Sequence, residues 1–186
     1  MAEKLYKVLA IDGSCCNGGQ GKWFLPKGKR PGKWMPEIKG DLDPCVNGYH
    51  LCRLRDLLYW VDETIFEAEY RGERVNDANK VVVRQARLLR KCEGWNEVTA
   101  RLFACDCAER VLPMFEKQRP SDDRPRKAIE TARRYANGEA TGDELAAARA
   151  AAGAAAWAAG ATRAAEHKWQ TRRLSYYLRK EARDES

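Results

Sequence analysis

The stretch Thr64-Ile65-Phe66-Glu67-Ala68-Glu69-Tyr70 alternates strictly from Ile65 onward, with Phe66, Ala68 and Tyr70 on one side and Glu67 and Glu69 on the other. Successive side chains of a strand point to opposite faces, so the pattern predicts a half-buried β-strand whose acidic side is wet. Its neighbours extend the same grammar. Lys80 to Leu89 reads as a second strand, and its central valines suggest an inner position. Leu5 to Ile11 reads as a first strand closed by Asp12-Gly13. The Asn47-Gly48 turn launches Tyr49 to Cys52, with Tyr49 and Leu51 on one face and His50 and Cys52 on the other. Between these strands, Arg53 to Val61 places Leu54, Leu57, Leu58 and Val61 at helical spacing and predicts a short helix.

After Gly94 the pattern becomes helical. Trp95, Val98, Leu102, Cys105 and Leu112 predict a helix with a core stripe over about 95–118, kinked or broken at Pro113. Ser121-Asp-Asp before Pro125, and Asn137-Gly138 after it, bound a second helix over about 123–137. Thr141-Gly-Asp-Glu144 is a capping-box pattern that opens a third. That helix is expected to run over 142–180, about 60 Å at 1.5 Å per residue. Fourteen of residues 146–165 are Ala, with Gly153 and Gly160 flanking Trp157, a pattern suited to a close helix seam within the chain or between two copies. The expectation is therefore α+β. A small, mostly antiparallel sheet with a short helix occupies 1–94, and an all-helical half with one long Ala-rich helix occupies 95–186.

The whole chain narrows the function classes. Its 186 residues carry a formal charge of +7, which favours an anionic partner such as nucleic acid, an acidic protein or an anionic surface. Seven cysteines are an odd number, and the adjacent Cys15-Cys16 pair suits reduced thiols better than disulfides. Charged residues stand among the first four and no apolar run follows, so a cytoplasmic location is expected. The Ala-rich segment is too weakly apolar to cross a membrane.

The loop from Cys15 to Trp34 is the richest in candidate contacts. A Walker-type phosphate loop fails there, because Cys16 stands where the first Gly belongs and Trp23 where the Ser or Thr belongs. Two similar units remain, Gly21-Lys-Trp-Phe-Leu-Pro and Gly32-Lys-Trp-Met-Pro. Lys22, Lys27, Lys29, Arg30 and Lys33 interleave with Trp23, Phe24 and Trp34, and Trp169, Arg173, Tyr176 and Lys180 share one face of the last helix. Cations for phosphates and rings for stacking are what single-strand binders use, although the tryptophans equally suit anchors of the loop to the sheet. Cys45, His50 and Cys52 are zinc-competent, yet their spacing is not that of paired zinc knuckles, so no metal and no cofactor is expected. Conventional catalytic motifs are lacking, and Glu67 with Glu69 is a weak signal.

Trp23-Phe-Leu-Pro, Gly32-Lys-Trp and Cys45-Val-Asn-Gly-Tyr-His-Leu-Cys52, followed by Glu69-Tyr-Arg-Gly-Glu73 and Asn79-Lys-Val-Val, resemble a phage and prophage domain of unknown function centred on C-x-x-G-[FY]-H-x-C. Asp106-Cys-Ala-Glu-Arg-Val-Leu-Pro, Asp122-Asp-Arg-Pro-Arg-Lys-Ala-Ile-Glu130 and the Ala-rich helix resemble an all-helical family of immunity proteins. That resemblance implies a non-enzymatic protein that binds and blocks a macromolecular partner, a protein in preference to nucleic acid. A looser likeness to ADP-ribosyltransferase-like folds would place NAD near Tyr6-Lys7, Tyr49-His50 and Glu67 or Glu69. Three functions are thus in play: an occluding interaction protein, a nucleic-acid binder and an NAD-binding protein.

Overall fold

The computed structural model describes residues 3–153 and 163–180, and the chain divides into two compact units, Met1–Trp95 with Leu178–Ser186, and Asn96–Tyr177. The fold is mixed, with strands in the first unit and α-helices in the second.

In the first unit the strands are β1 (Leu5–Leu9), β2 (Tyr49–Arg53), β3 (Thr64–Asn76) and β4 (Val81–Lys91). All neighbours are antiparallel, and the order β1-β2-β4-β3 closes on itself as a small barrel. Closure removes the exposed strand edges that an open sheet of this size would present. The long β3–β4 hairpin makes it possible. Its register shifts at Glu67/Ala68 and again between Arg71 and Arg74, where Gly72 takes a φ of 78°. Such bulges sharpen the local twist and curl the ribbon. Phe66 and Ala68 point into the core with Leu5, Leu9, Leu51, Val81, Val83 and Leu88, as the alternation predicted.

Two expectations change here. Arg53–Val61 is a shorter, tighter 3₁₀ segment, Leu54–Tyr59. It is pinned by the buried Arg53–Asp56 ion pair, and Arg53 Nη2 also donates to the Asp77 carbonyl at 2.8 Å. The stretch from 10 to 48 holds no named strand, yet part of it runs along β4. Gly32 N donates to Leu88 O, Met35 N to Ala86 O and Ile38 N to Arg84 O, at 2.9, 2.9 and 3.0 Å. These bonds take up β4 backbone groups beyond Val83, where the pairing with β2 ends. Trp23 and Met35 then drop into the core. A Cβ on Gly32 would lie 2.0 Å from the Phe24 carbonyl oxygen, so only glycine lets the two arms of the loop approach.

The second unit holds α1 (Glu97–Gln118), α2 (Arg124–Ala136), α3 (Gly142–Gly153) and α4 (Arg163–Leu178). Trp95 lies before α1 rather than in its stripe, and Val98 is exposed. The start is set by Asn96, whose side chain accepts from Thr99 N while Thr99 Oγ1 accepts from Asn96 N. Helix α1 passes through Pro113 without ending. Pro113 and Glu109 are both exposed, so the carbonyl that loses its amide partner can be solvated. Asp123 takes the cap position of α2 without a side-chain bond, while Asp122 Oδ1 accepts from Arg124 N at 3.2 Å. The capping box at Thr141 and Glu144 forms, with Glu144 Oε2 accepting from Thr141 N at 2.7 Å and Thr141 Oγ1 from Glu144 N at 3.2 Å. Cys105, Leu112 and Ile129 make the α1–α2 core, with Ala108 and Ala132 against it. The expected seam at Gly153, Trp157 and Gly160, and the continuity of one helix over 142–180, fall on residues outside those described.

Candidate functional site

The loop presents its cations and withholds its tryptophans. Lys22, Lys27, Lys29, Arg30 and Lys33 are all exposed. Lys22 reaches Asp12 at 3.0 Å, and bonds from Ser14 and Lys22 hold the Asp12 carboxyl at about 2. A tight turn ties Lys27 to Arg30, each backbone N–H donating to the other's carbonyl at 3.0 and 3.1 Å. Trp23 is buried, edge-on to Tyr49 at 5.4 Å with the Lys7 ammonium 5.0 Å from its centroid. Trp34 is half-buried and carries the Arg71 and Arg87 guanidiniums at 4.5 and 4.7 Å. Phe24, 46% exposed, is the open ring of this loop.

The four residues expected to share a contact face on the last helix are used differently. Trp169 is half-buried under Arg110, which also pairs with Glu166 at 2.9 Å. Arg173 binds Asp106, while Tyr176 is 47% exposed and Lys180 is exposed.

Asp106, quoted above only as part of a family resemblance, is the electrostatic hub of the helical unit. This nearly buried carboxylate on α1 accepts from Arg133 of α2 at 2.7 Å, and from Arg173 and Tyr177 of α4, the tyrosine hydroxyl lying 2.7 Å away. Burial would push its carboxyl up, but the bonds from Arg173, Tyr177 and Arg133 outweigh that and hold it below the usual aspartate value. Its signal in the sequence was an acid beside Cys105, at the edge of the apolar stripe of α1.

In the first unit, Cys45 takes a φ of 72°, in the left-handed region that non-glycine residues rarely adopt. Its N–H donates to His50 Nε2 at 3.1 Å, and the Lys80 ammonium lies 2.6 Å from its sulfur. Burial, then Lys7 and Lys80, hold His50 below the usual histidine value. Cys45, His50 and Cys52 therefore do not converge as ligands. Among the described residues no group of three or more His, Cys, Asp or Glu side chains is placed to hold a metal ion. All seven cysteines are free, and burial pushes Cys52 and Cys92 to about 12, so these thiols stay protonated. Glu67 and Glu69 are salt-bridged on the outer side of β3, Glu67 to Arg90 and Lys4, Glu69 to Arg87. The bond from Arg90 leads in holding the Glu67 carboxyl below its usual value.

A cavity of about 560 Å³ opens where β1 and β2 part. Their pairing stops at Tyr6↔Cys52, and Lys7, His50, Trp60 and Lys80 line the space beyond.

Residues 90–177 match the family model described as Imm-5 like putative immunity protein. The matched span takes in the whole helical unit, Asn96–Tyr177, with the end of β4 and the chain that links it to α1. No curated protein and no solved structure matches the chain. Among the described residues no helix is long and apolar enough to cross a membrane.

Proposed function

We propose that this protein acts as an immunity-type interaction protein, whose helical unit binds and occludes a protein partner without chemistry of its own. The observation that carries this reading is the family match over 90–177, which spans an entire compact unit rather than a fragment of one. The helical unit is suited to the task. Its charged side chains are largely engaged within the unit, as at Asp106, Arg133 and Glu109, which gives a fixed surface. A preorganised surface loses little entropy when it docks. Tyr176 and Met114 are exposed large side chains that could anchor such a contact.

The test is capture of partners from lysate by the full chain, with and without nuclease, followed by co-expression of the chain with each captured protein. The expected result is a nuclease-resistant protein partner whose growth arrest or enzymatic activity is relieved by the chain. Capture that vanishes with nuclease, or a partner bound without inhibition, overturns the reading.

A second reading rests on a different observation. Lys27, Lys29, Arg30 and Lys33 cluster on one exposed loop beside the open ring of Phe24, an arrangement that suits a single-stranded nucleic acid. It requires oligonucleotide binding that weakens steeply between 50 and 200 mM salt, as roughly tracks the number of phosphates neutralised. Trp23 and Trp34 would take no part.

A further inference from the structure

Lys7 is the odd residue of the barrel. It alternates with Leu5 and Leu9 on β1 and stands opposite Phe66 of β3, so its side chain starts from the apolar inner face. Among the described residues its ammonium forms no ion pair or hydrogen bond; its contact is the Trp23 ring. Lys80, across the cavity, differs: Asp77 lies 3.6 Å from its ammonium. No Asp or Glu lines the cavity. The acidic groups that face Lys7 are the thiols of Cys15, Cys16 and Cys52, and burial raises the last two. No carboxylate of the lining therefore pairs with Lys7, and burial lowers its amine below the usual lysine value.

A half-buried ammonium with no counter-charge carries a desolvation cost, and a fold that keeps one beside an open space is placed to pair it with something from outside. The volume falls in the range of small-molecule sites, and Trp23, Met35, Tyr49 and Trp60 give it flat, apolar walls. We propose that this cavity binds a small organic anion with a flat apolar body, whose carboxylate or phosphate pairs with Lys7. The second ammonium, Lys80, adds to the positive potential, and the Lys7–Trp23 contact gives way to the stronger pairing with the anion. This site belongs to the first unit and is independent of the partner contact proposed for the helical one.

The experiment is isothermal titration of the full chain with two probes, indole-3-acetate for a carboxylate headgroup and adenosine monophosphate for a phosphate. The same titrations are run on Lys7→Met and on Lys117→Met, an exposed control in the other unit. The expected result is saturable binding of one probe or both to the wild-type chain, weakened tenfold or more in Lys7→Met and changed less than twofold in Lys117→Met. Absence of binding by both probes overturns the proposal, as does equal binding to Lys7→Met. Should Lys7→Met fail to fold, acetylation of the wild-type chain, read by peptide mass spectrometry, decides. The bound probe must slow modification at Lys7 several-fold while leaving Lys117 unchanged, and equal rates at Lys7 with and without probe overturn the proposal.

Discussion

Replacing Asp106 with Asn keeps the shape of the side chain and removes the charge on which α2 and α4 converge. Hydrogen bonds to a charged group contribute about 1.5–3 kcal/mol each. Three donors meet this carboxylate. The losses do not simply add. Arg133 retains Glu109 at 2.6 Å, and the side chains of Arg133 and Arg173 are 30% and 36% exposed, so water recovers part of what the carboxylate supplied. The asparagine oxygen can still accept from one donor, while its NH₂ group now faces another. A net loss of about 2–3 kcal/mol follows, which for a unit of this size lowers Tm by about 10–20 °C.

Circular dichroism at 222 nm during thermal and urea unfolding measures it, because the α-helices lie in this unit. The wild-type carboxyl is held below its unfolded value, so its contribution is fully present above pH of about 4 and is lost as pH falls through the folded value. Asp106→Asn therefore removes that share of the acid sensitivity. A double-mutant cycle with Tyr177→Phe must return a coupling energy. A loss below about 0.5 kcal/mol, or full additivity of the two changes, would refute the hub.

Pro113→Ala restores a donor and removes a ring from the interior of α1, and is expected to raise the helical transition by roughly 1–3 kcal/mol, read in the same melts. Gly32→Ala pushes a methyl into the Phe24 carbonyl and is expected to cost at least about 2 kcal/mol, seen as an earlier red shift of tryptophan fluorescence as Trp23 leaves the core. His50 must stay neutral to accept from Cys45 N and is held below the usual value, so protonation favours the unfolded chain. The barrel should lose stability as pH falls below about 6.5, and His50→Asn should flatten that slope in fluorescence-monitored urea titrations.

Much of the local structure was legible because local chemistry governs it. The Phe66-Ala68-Tyr70 alternation set a strand face whatever its neighbours were, and Asn137-Gly138 and Thr141-x-x-Glu144 end and start helices through bonds within four residues. The candidate contacts were less legible. Lys22 to Lys33 lie exposed, but a lysine's charge does not say whether the adjacent Trp23 turns out or in; the core it fills is built from β1, β2, β3 and β4. At Pro113 the sequence left a kink or a break open; that α1 runs on through it depends on whether the orphaned Glu109 carbonyl meets water, a property of the packed surface.

By itself the sequence determined the change from strand to helix pattern after β4, the capping box at Thr141 and Glu144, and the inner face of β3 at Phe66 and Ala68. These depend on periodicity and on neighbours a few residues apart. The tertiary structure alone decided that four strands close into a barrel, that 32–38 runs along β4, and that Asp106 gathers Arg133, Arg173 and Tyr177. It also decided that Lys7 faces a cavity without a carboxylate. Each is a pairing of groups tens of residues apart, and only the closed backbone brings their charges and hydrogen-bonding groups within a few ångströms.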